Sequence, residues 1–120
     1  MRVYGEGDNS MIEKLKEYVI KNNLIDKAKK SFWQAFNNWK KDDSEKYLEK
    51  FKNIDDKDLT LYVQCIGLRA ASWPECDFNH VTVSIKILHN AHRGGELGNY
   101  IVWFPLNEEE NDGDDFLEIL

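Results

Sequence analysis

The feature that most constrains the fold is a change of hydrophobic period near residue 58. Before this point apolar residues recur at helical spacing, and from Leu59 onward they alternate with polar residues. Each half is too short to bury a stable core alone, and no Gly-, Ser- or Pro-rich linker separates the two. The sequence therefore predicts one α+β domain spanning residues 1–120, with helices packed against a sheet.

Three N-terminal helices are predicted before the change of period. Ser10 and Glu13 have the spacing of a capping box, which places the start of the first helix at Ser10. A second helix is predicted from Leu24 to about Lys40, and the Asp42-Asp43-Ser44 segment supplies capping residues for a third, shorter helix. The predicted apolar faces are Ile12, Leu15 and Val19 in the first helix and Leu24, Ala28, Phe32, Ala35, Phe36 and Trp39 in the second.

A three- to four-stranded antiparallel sheet is predicted after the change of period. Alternating residues indicate a strand from Leu59 to about Gly67, a second at 80–87 and a third at 99–106. The segment 116–120 is expected to form a short fourth strand or a helical turn. The loops suit hairpins better than helical crossovers, so the strands are expected to form an antiparallel meander. The element order also resembles that of NTF2-like cones, which we keep as the alternative fold.

The cysteines and histidines do not predict a metal centre or a catalytic site. Cys76, His80, His89 and His92 are conceivable zinc ligands, but His80 and His89 are expected at opposite ends of one strand, about 30 Å apart. Cys65 is expected on the apolar face of its strand, as a small hydrophobic residue. A hydrolase built on His89 and His92 conflicts with the acidic character of this half. We therefore expect no enzyme, no metal and no cofactor.

Other signatures are also missing from the sequence. No GxSxG, GxGxxG or P-loop spacing is present. An EF-hand register with Gly113 at its sixth position places Ile119 where the closing glutamate is required. No apolar run reaches the roughly 18 residues of a membrane span, and the first residues lack the apolar stretch of a signal peptide. Two cysteines without an export signal predict a cytoplasmic protein with no membrane association.

The formal net charge of −6 is unevenly distributed. Residues 11–57 hold twelve lysines and nine acidic residues, a net charge of +3, whereas residues 58–120 hold three basic and eleven acidic residues, a net charge of −8. Seven of these acidic residues lie in the last fourteen positions, and no lysine or arginine interrupts them. Because such a charge repels phosphate backbones, nucleic acid is not expected as a partner.

The acidic stretch predicts a binding surface for a basic protein. Complementary charge speeds the encounter with a partner and helps to select it, and aromatic residues beside an acidic rim supply an interface core. The predicted partner-binding residues are Glu108, Glu109, Glu110, Asp112, Asp114 and Asp115, together with Tyr100, Trp103 and Tyr62.

A small, acidic chain without a catalytic constellation resembles bacterial immunity proteins. These proteins bind a cognate toxin domain, often a basic nuclease, and block its active site. The resemblance is one of size and charge, so it assigns no role to any residue. Two alternatives stay open. One is a small-molecule-binding or enzymatic domain whose helix–sheet pocket is lined by Trp33, Trp39 and inward strand residues and contains a polar group. The other is a regulatory module that self-associates through its exposed sheet face.

Overall fold

The computed structural model describes residues 6–52, 54–71, 74–75, 78–89, 95–106 and 114–120. Within these residues, three helices and a four-stranded antiparallel sheet confirm the α+β class. A single 3₁₀ turn, Asp56–Asp58, leads from the helices into the sheet. The elements are α1 (Glu6–Lys21), α2 (Leu24–Asp42), α3 (Ser44–Lys50), β1 (Leu59–Ala71), β2 (Phe78–His89), β3 (Glu96–Pro105) and β4 (Asp115–Ile119).

The four strands lie side by side in the order in which they occur in the chain. Each pairs antiparallel with its predecessor, so β1 and β4 are the two edges of the sheet. β1 extends through Gly67 to Ala71, beyond the predicted end, because Gly67 keeps its place in the register opposite Thr82. The final apolar segment forms a strand and not a helical turn.

The core lies between α2 and one face of the sheet, which we call the inner face. Leu24, Ala28, Phe32 and Phe36 of α2 are buried, as the helical period predicts, and α2 packs against β2, β3 and β4. The ring of Phe32 meets the buried ring of Tyr100 on β3 edge-on, with centroids 5.7 Å apart. The buried inner-face residues of the sheet are Val81, Val83, Ile85, Ile87, Tyr100 and Val102.

Helix α1 begins earlier than the capping box predicts. It starts at Glu6, and Ser10 lies inside the helix. Asn23, which lies between α1 and α2, has a left-handed backbone conformation with φ 54°, a geometry that asparagine tolerates better than most residues.

One single-residue prediction on the strands is wrong. Cys65 is exposed, because a β-bulge between Val63 and Cys65 inserts Gln64 and shifts the alternation, so that Cys65 pairs with Ser84 instead of facing the core. His80 lies on the outer face, as the alternation in β2 predicts, and it is buried.

Candidate functional site

The edge strand β4 carries the described part of the acidic stretch. The Trp103 N–H donates a hydrogen bond to the Asp114 carbonyl at 2.8 Å, and the Leu120 N–H donates to the Leu97 carbonyl at 2.9 Å. In an antiparallel pair, successive residues direct their backbone N–H and C=O groups alternately toward and away from the partner strand. The even-numbered residues of β4 therefore direct these groups at β3. The backbone groups of Asp115, Leu117 and Ile119 therefore point to the open edge of the sheet.

The outer side of this edge is apolar with an acidic border. Phe116 pairs with Ile101 of β3 and is 53% exposed, while Glu118 pairs with Asn99. A shallow cavity of about 310 Å³ opens here, and its lining residues are Gln64, Ser84, Ile85, Asn99, Ile101, Phe116 and Glu118. The combination of an exposed ring and carboxylates beside it is the composition of a small protein-binding patch with a polar rim.

The inner side of the same edge is a polar groove between α2 and β4. Ser31, Gln34 and Asn38 of α2 line a cavity of about 360 Å³. Its opposite wall contains Asp115, whose Oδ2 accepts a hydrogen bond from the Tyr100 hydroxyl at 2.7 Å. Amide, hydroxyl and carboxylate groups therefore converge on one space, which is able to accept a polar side chain or ligand.

The Tyr100 hydroxyl is held in its protonated form. Burial of the ring, the hydrogen bond to Asp115 and the negative charge of that carboxylate all raise the pKa of Tyr100 far above its ordinary value. A hydrogen bond from Ser31 opposes this shift and lowers the pKa slightly. Tyr100 is thus a fixed hydrogen-bond donor that orients Asp115 and is not poised for proton transfer near neutral pH.

The C-terminal end of β4 is attached to the helical layer. The Lys50 ammonium of α3 donates a hydrogen bond to the Leu120 carbonyl at 2.7 Å. Together with the Tyr100–Asp115 bond, this contact holds the edge strand at both ends. A rigidly held strand presents its carboxylates without a large loss of conformational entropy on binding.

The structure places the predicted binding residues in different regions. Asp114 and Asp115 lie at β4, and Trp103 lies opposite Asp114 on the outer face. Tyr62 is also on the outer face and 55% exposed, but it lies on β1, three strand spacings or about 14 Å from β4. The remaining carboxylates, Glu108, Glu109, Glu110 and Asp112, lie outside the described residues.

Tyr100 does not belong to the same surface as Trp103 and Tyr62. Neighbouring residues of a strand point to opposite faces, so Tyr100 faces α2, where its ring is buried. Tyr100 therefore has no ring surface to offer a partner, and its contribution to the site is the hydrogen bond to Asp115.

Several residues of the site were not predicted from the sequence. The sequence pattern indicates Phe116 and Ile101 only as strand residues. The position of Phe116 next to acidic residues is nevertheless visible in the sequence. Ser31, Gln34 and Asn38 follow the i, i+3, i+7 spacing of one helical stripe, which is the signal that predicts a polar face.

A second polar cluster, beside the aromatic core, joins α2 to α3 and to the 3₁₀ turn that follows α3. The Lys40 ammonium and the Tyr47 hydroxyl both donate to the Asp56 carboxylate, at 2.8 and 2.9 Å. The Lys40 nitrogen also lies 4.7 Å from the centroid of the Tyr47 ring, a cation–π contact. The hydrogen bond to Asp56 raises the pKa of Lys40, with a smaller contribution from Tyr47. Since these groups satisfy one another, we assign the cluster a structural role.

The described residues offer neither a metal cluster nor a membrane span. In that part of the chain, no group of three or more histidine, cysteine or acidic residues is arranged to hold a metal ion. None of the described helices is long and apolar enough to cross a bilayer. Comparison of the chain with protein-family models, with curated proteins and with solved structures gave no match.

Proposed function

We propose that this protein is a non-catalytic binding module that uses β4 and its surroundings to bind a basic protein partner. The observation that carries the proposal is the juxtaposition on one open sheet edge of an exposed ring, Phe116, and three exposed carboxylates, Asp114, Asp115 and Glu118. No lysine or arginine occurs between Glu96 and Leu120 in the sequence. This segment therefore contributes acidic but no basic side chains, and Lys50 of α3 adds a positive charge beside Leu120 at the C-terminal end of β4.

The geometry supports binding in three ways. The outer side of β4 offers apolar surface at Phe116 and Ile101. The edge itself offers the backbone groups of Asp115, Leu117 and Ile119, which are able to pair with an added strand. The groove on the inner side offers the Asp115 carboxylate beside amide groups, to which a lysine or arginine side chain is complementary.

The finer form of this proposal is an acidic immunity-type inhibitor that neutralises a basic, nuclease-like toxin domain in the cytoplasm. Its support is the small size, the net charge of −6 and the concentration of negative charge in the strand half. A free and exposed thiol at Cys65 is compatible with a reducing compartment. An inhibitor of this kind needs no catalytic group of its own, because it acts by covering the active site of its partner.

The experiment that tests this proposal measures binding to the protein encoded next to this chain in the genome. Biolayer interferometry with the wild type and with the double variant Asp114→Lys/Glu118→Lys gives association and dissociation rates at low and physiological salt. Because steering by charge multiplies association rates by about 10 to 1,000, we expect the variant to associate at least about tenfold more slowly. The dissociation rate should change less.

The matched control is Glu13→Lys/Glu17→Lys, which alters the net charge by the same amount at two exposed positions of α1, a helix that packs against α2. This control should slow association only slightly. Equal rates for the wild type and the β4 variant would contradict the binding site. A neighbouring gene product that is acidic, or that does not bind, would contradict the immunity-type assignment.

The groove between α2 and β4 supports a second candidate, a small-molecule-binding or enzymatic domain. Its volume of about 360 Å³ lies within the usual range of ligand sites. Inward strand residues line this groove, namely Tyr100 and Val102, whereas Trp33 and Trp39 pack against Phe36 in the aromatic core and do not line it. The NTF2-like cone, which accompanied this candidate, stays a prediction.

Ligand-observed NMR with a library of polar fragments tests the second candidate. The variant Ala35→Phe places a bulky ring in the groove, so fragments that bind the wild type there should lose their signal. Fragments that bind both forms equally, or no bound fragment at all, would count against a ligand site.

A further inference from the structure

The second edge of the sheet, strand β1, differs from β4 in length and in charge. β1 runs for 13 residues, and Arg69 is its only charged residue. Natural proteins protect edge strands with short length, charges, proline or bulges, and β1 has one bulge and one charge. Among the described residues, the only strand that pairs with it is β2.

The hydrogen bonds of β2 show which backbone groups of β1 point outward. The Leu106 N–H donates to the Asn79 carbonyl at 3.0 Å, and the His89 N–H donates to the Gly95 carbonyl at 3.1 Å. Odd-numbered residues of β2 therefore bond to β3, and even-numbered residues bond to β1.

The register between β1 and β2 completes this assignment. Cys65, Gly67 and Arg69 pair with even-numbered residues of β2, so their backbone groups are used within the sheet. By alternation, the backbone groups of Ile66 and Leu68 point to the open edge, as do those of Leu61, Val63 and Ala70 on either side.

The side chains of these edge-directed residues are only partly covered. They lie on the inner face, but the helical layer packs over β2, β3 and β4 and only marginally reaches β1. Leu68 is 57% exposed and Ile66 is half-buried, whereas Val81 and Val83 beside them on β2 are fully buried. The edge of β1 thus combines outward backbone groups with uncovered apolar side chains.

We propose that a second copy of this chain pairs with β1 in antiparallel orientation about a two-fold axis at Leu68. The bulge at Gln64 interrupts the strand, so the regular segment available for pairing is Ile66–Ala70. In this register Leu68 faces Leu68 of the second copy, and Ile66 faces Ala70. The two four-stranded sheets then form one continuous sheet of eight strands.

The distribution of charge favours a second copy as the occupant, because Arg69, the only charged residue of β1, does not lie opposite itself in this register. In the symmetric register Arg69 lies opposite Gly67 of the other copy, where a side chain finds open space, since a Cβ at Gly67 would have no atom within 4 Å. Like charges therefore do not face each other along the pair. Pairing through β4 would instead bring Asp114, Asp115 and Glu118 of two copies together, which is unfavourable. Self-association is consequently directed to β1.

Sedimentation equilibrium of the wild type, Leu68→Lys and Leu48→Lys over a range of protein concentrations tests the proposal. Leu48 is the matched control, because it is a leucine of similar exposure, 65%, that lies on helix α3 instead of on the strand edge. We expect a dimer for the wild type and for Leu48→Lys. Since the dimer contains the substitution twice and places two ammonium groups at the axis, Leu68→Lys should weaken dimerisation at least about a hundredfold.

Hydrogen exchange measured by NMR at low and high protein concentration provides a test without any variant. The amides of Ile66, Leu68 and Ala70 should exchange more slowly at high concentration. The amides of Gly67 and Arg69 should not change, because they already bond to β2. A wild type that remains monomeric at all concentrations, a dimer that persists in Leu68→Lys, or slower exchange at β4 instead of β1 would overturn the proposal.

Discussion

Removal of one hydroxyl group, in the variant Tyr100→Phe, tests how the edge strand β4 is held. The variant keeps the buried ring and its contact with Phe32, so it creates no cavity. It deletes the 2.7 Å hydrogen bond to the Asp115 carboxylate. A hydrogen bond to a charged group contributes about 1.5–3 kcal/mol, and water reaches the exposed Asp115, so we expect a loss near the lower end, about 1.5 kcal/mol.

The assay is urea unfolding followed by circular dichroism, which gives the free energy of unfolding. A loss of 1.5 kcal/mol corresponds to a fall of about 4–8 °C in the melting temperature for a chain of this size. Tyr47→Phe is the control: it also deletes a hydroxyl–carboxylate hydrogen bond, at 2.9 Å, but Asp56 keeps its bond to Lys40. The control should therefore lose less than about 1 kcal/mol.

The dependence of stability on alkaline pH gives an independent readout of the same variant. The pKa of Tyr100 is higher in the folded than in the unfolded protein, so the folded state retains a proton that the unfolded state releases. This contribution to stability is complete below the ordinary tyrosine pKa of about 10 and is lost above it, at up to about 1.4 kcal/mol per pH unit. Tyr100→Phe should make this alkaline decline shallower. A variant with wild-type stability and an unchanged decline would refute the reasoning.

Two matched pairs of substitutions test the packing of β4 and the division between core and surface. Gly98→Ala should cost about 1–3 kcal/mol and loosen β4, because its Cβ would collide with the Glu118 carbonyl, whereas Gly67→Ala should be neutral or slightly stabilising; urea unfolding and amide exchange measure both. Phe36→Ala should cost about 3–5 kcal/mol, since its buried ring contacts several other rings, and a free energy of unfolding equal to that of the wild type would contradict this. Phe116→Ala should leave stability within about 1 kcal/mol of the wild type yet weaken partner binding, as interferometry would show.

The sequence predicts the fold class well, because the period of the apolar residues and the length of each periodic segment indicate whether that segment forms a helix or a strand. Val81, Val83 and Ile85 alternate with polar residues, and this pattern alone identifies the buried face of β2. The bulge that exposes Cys65 was not predicted, since an inserted residue such as Gln64 leaves no distinct signal in a short alternation.

The candidate site was only partly predictable, because tertiary packing decides which surfaces meet. The acidic run was visible in the sequence, and Asp115 was among the predicted residues. The polar stripe of Ser31 and Asn38 was also visible, but the sequence does not show that this stripe borders β4. The burial of Tyr100 follows from the position of α2 over β3, which is a property of the assembled layers.

The two edges of the sheet have different chemistry, and this difference allows two kinds of binding without competition. β4 is short and acidic, so we expect it to repel a second copy and to attract a basic partner. β1 is long and nearly uncharged, so we expect it to pair with a strand of the same sequence. In a dimer joined through β1, the two β4 strands would lie at opposite ends of the eight-stranded sheet, about 34 Å apart at the usual strand spacing. Each copy would then keep an open acidic edge, so that partner binding and dimerisation are expected to be independent, and the charge reversal at Asp114 and Glu118 should leave dimerisation unchanged.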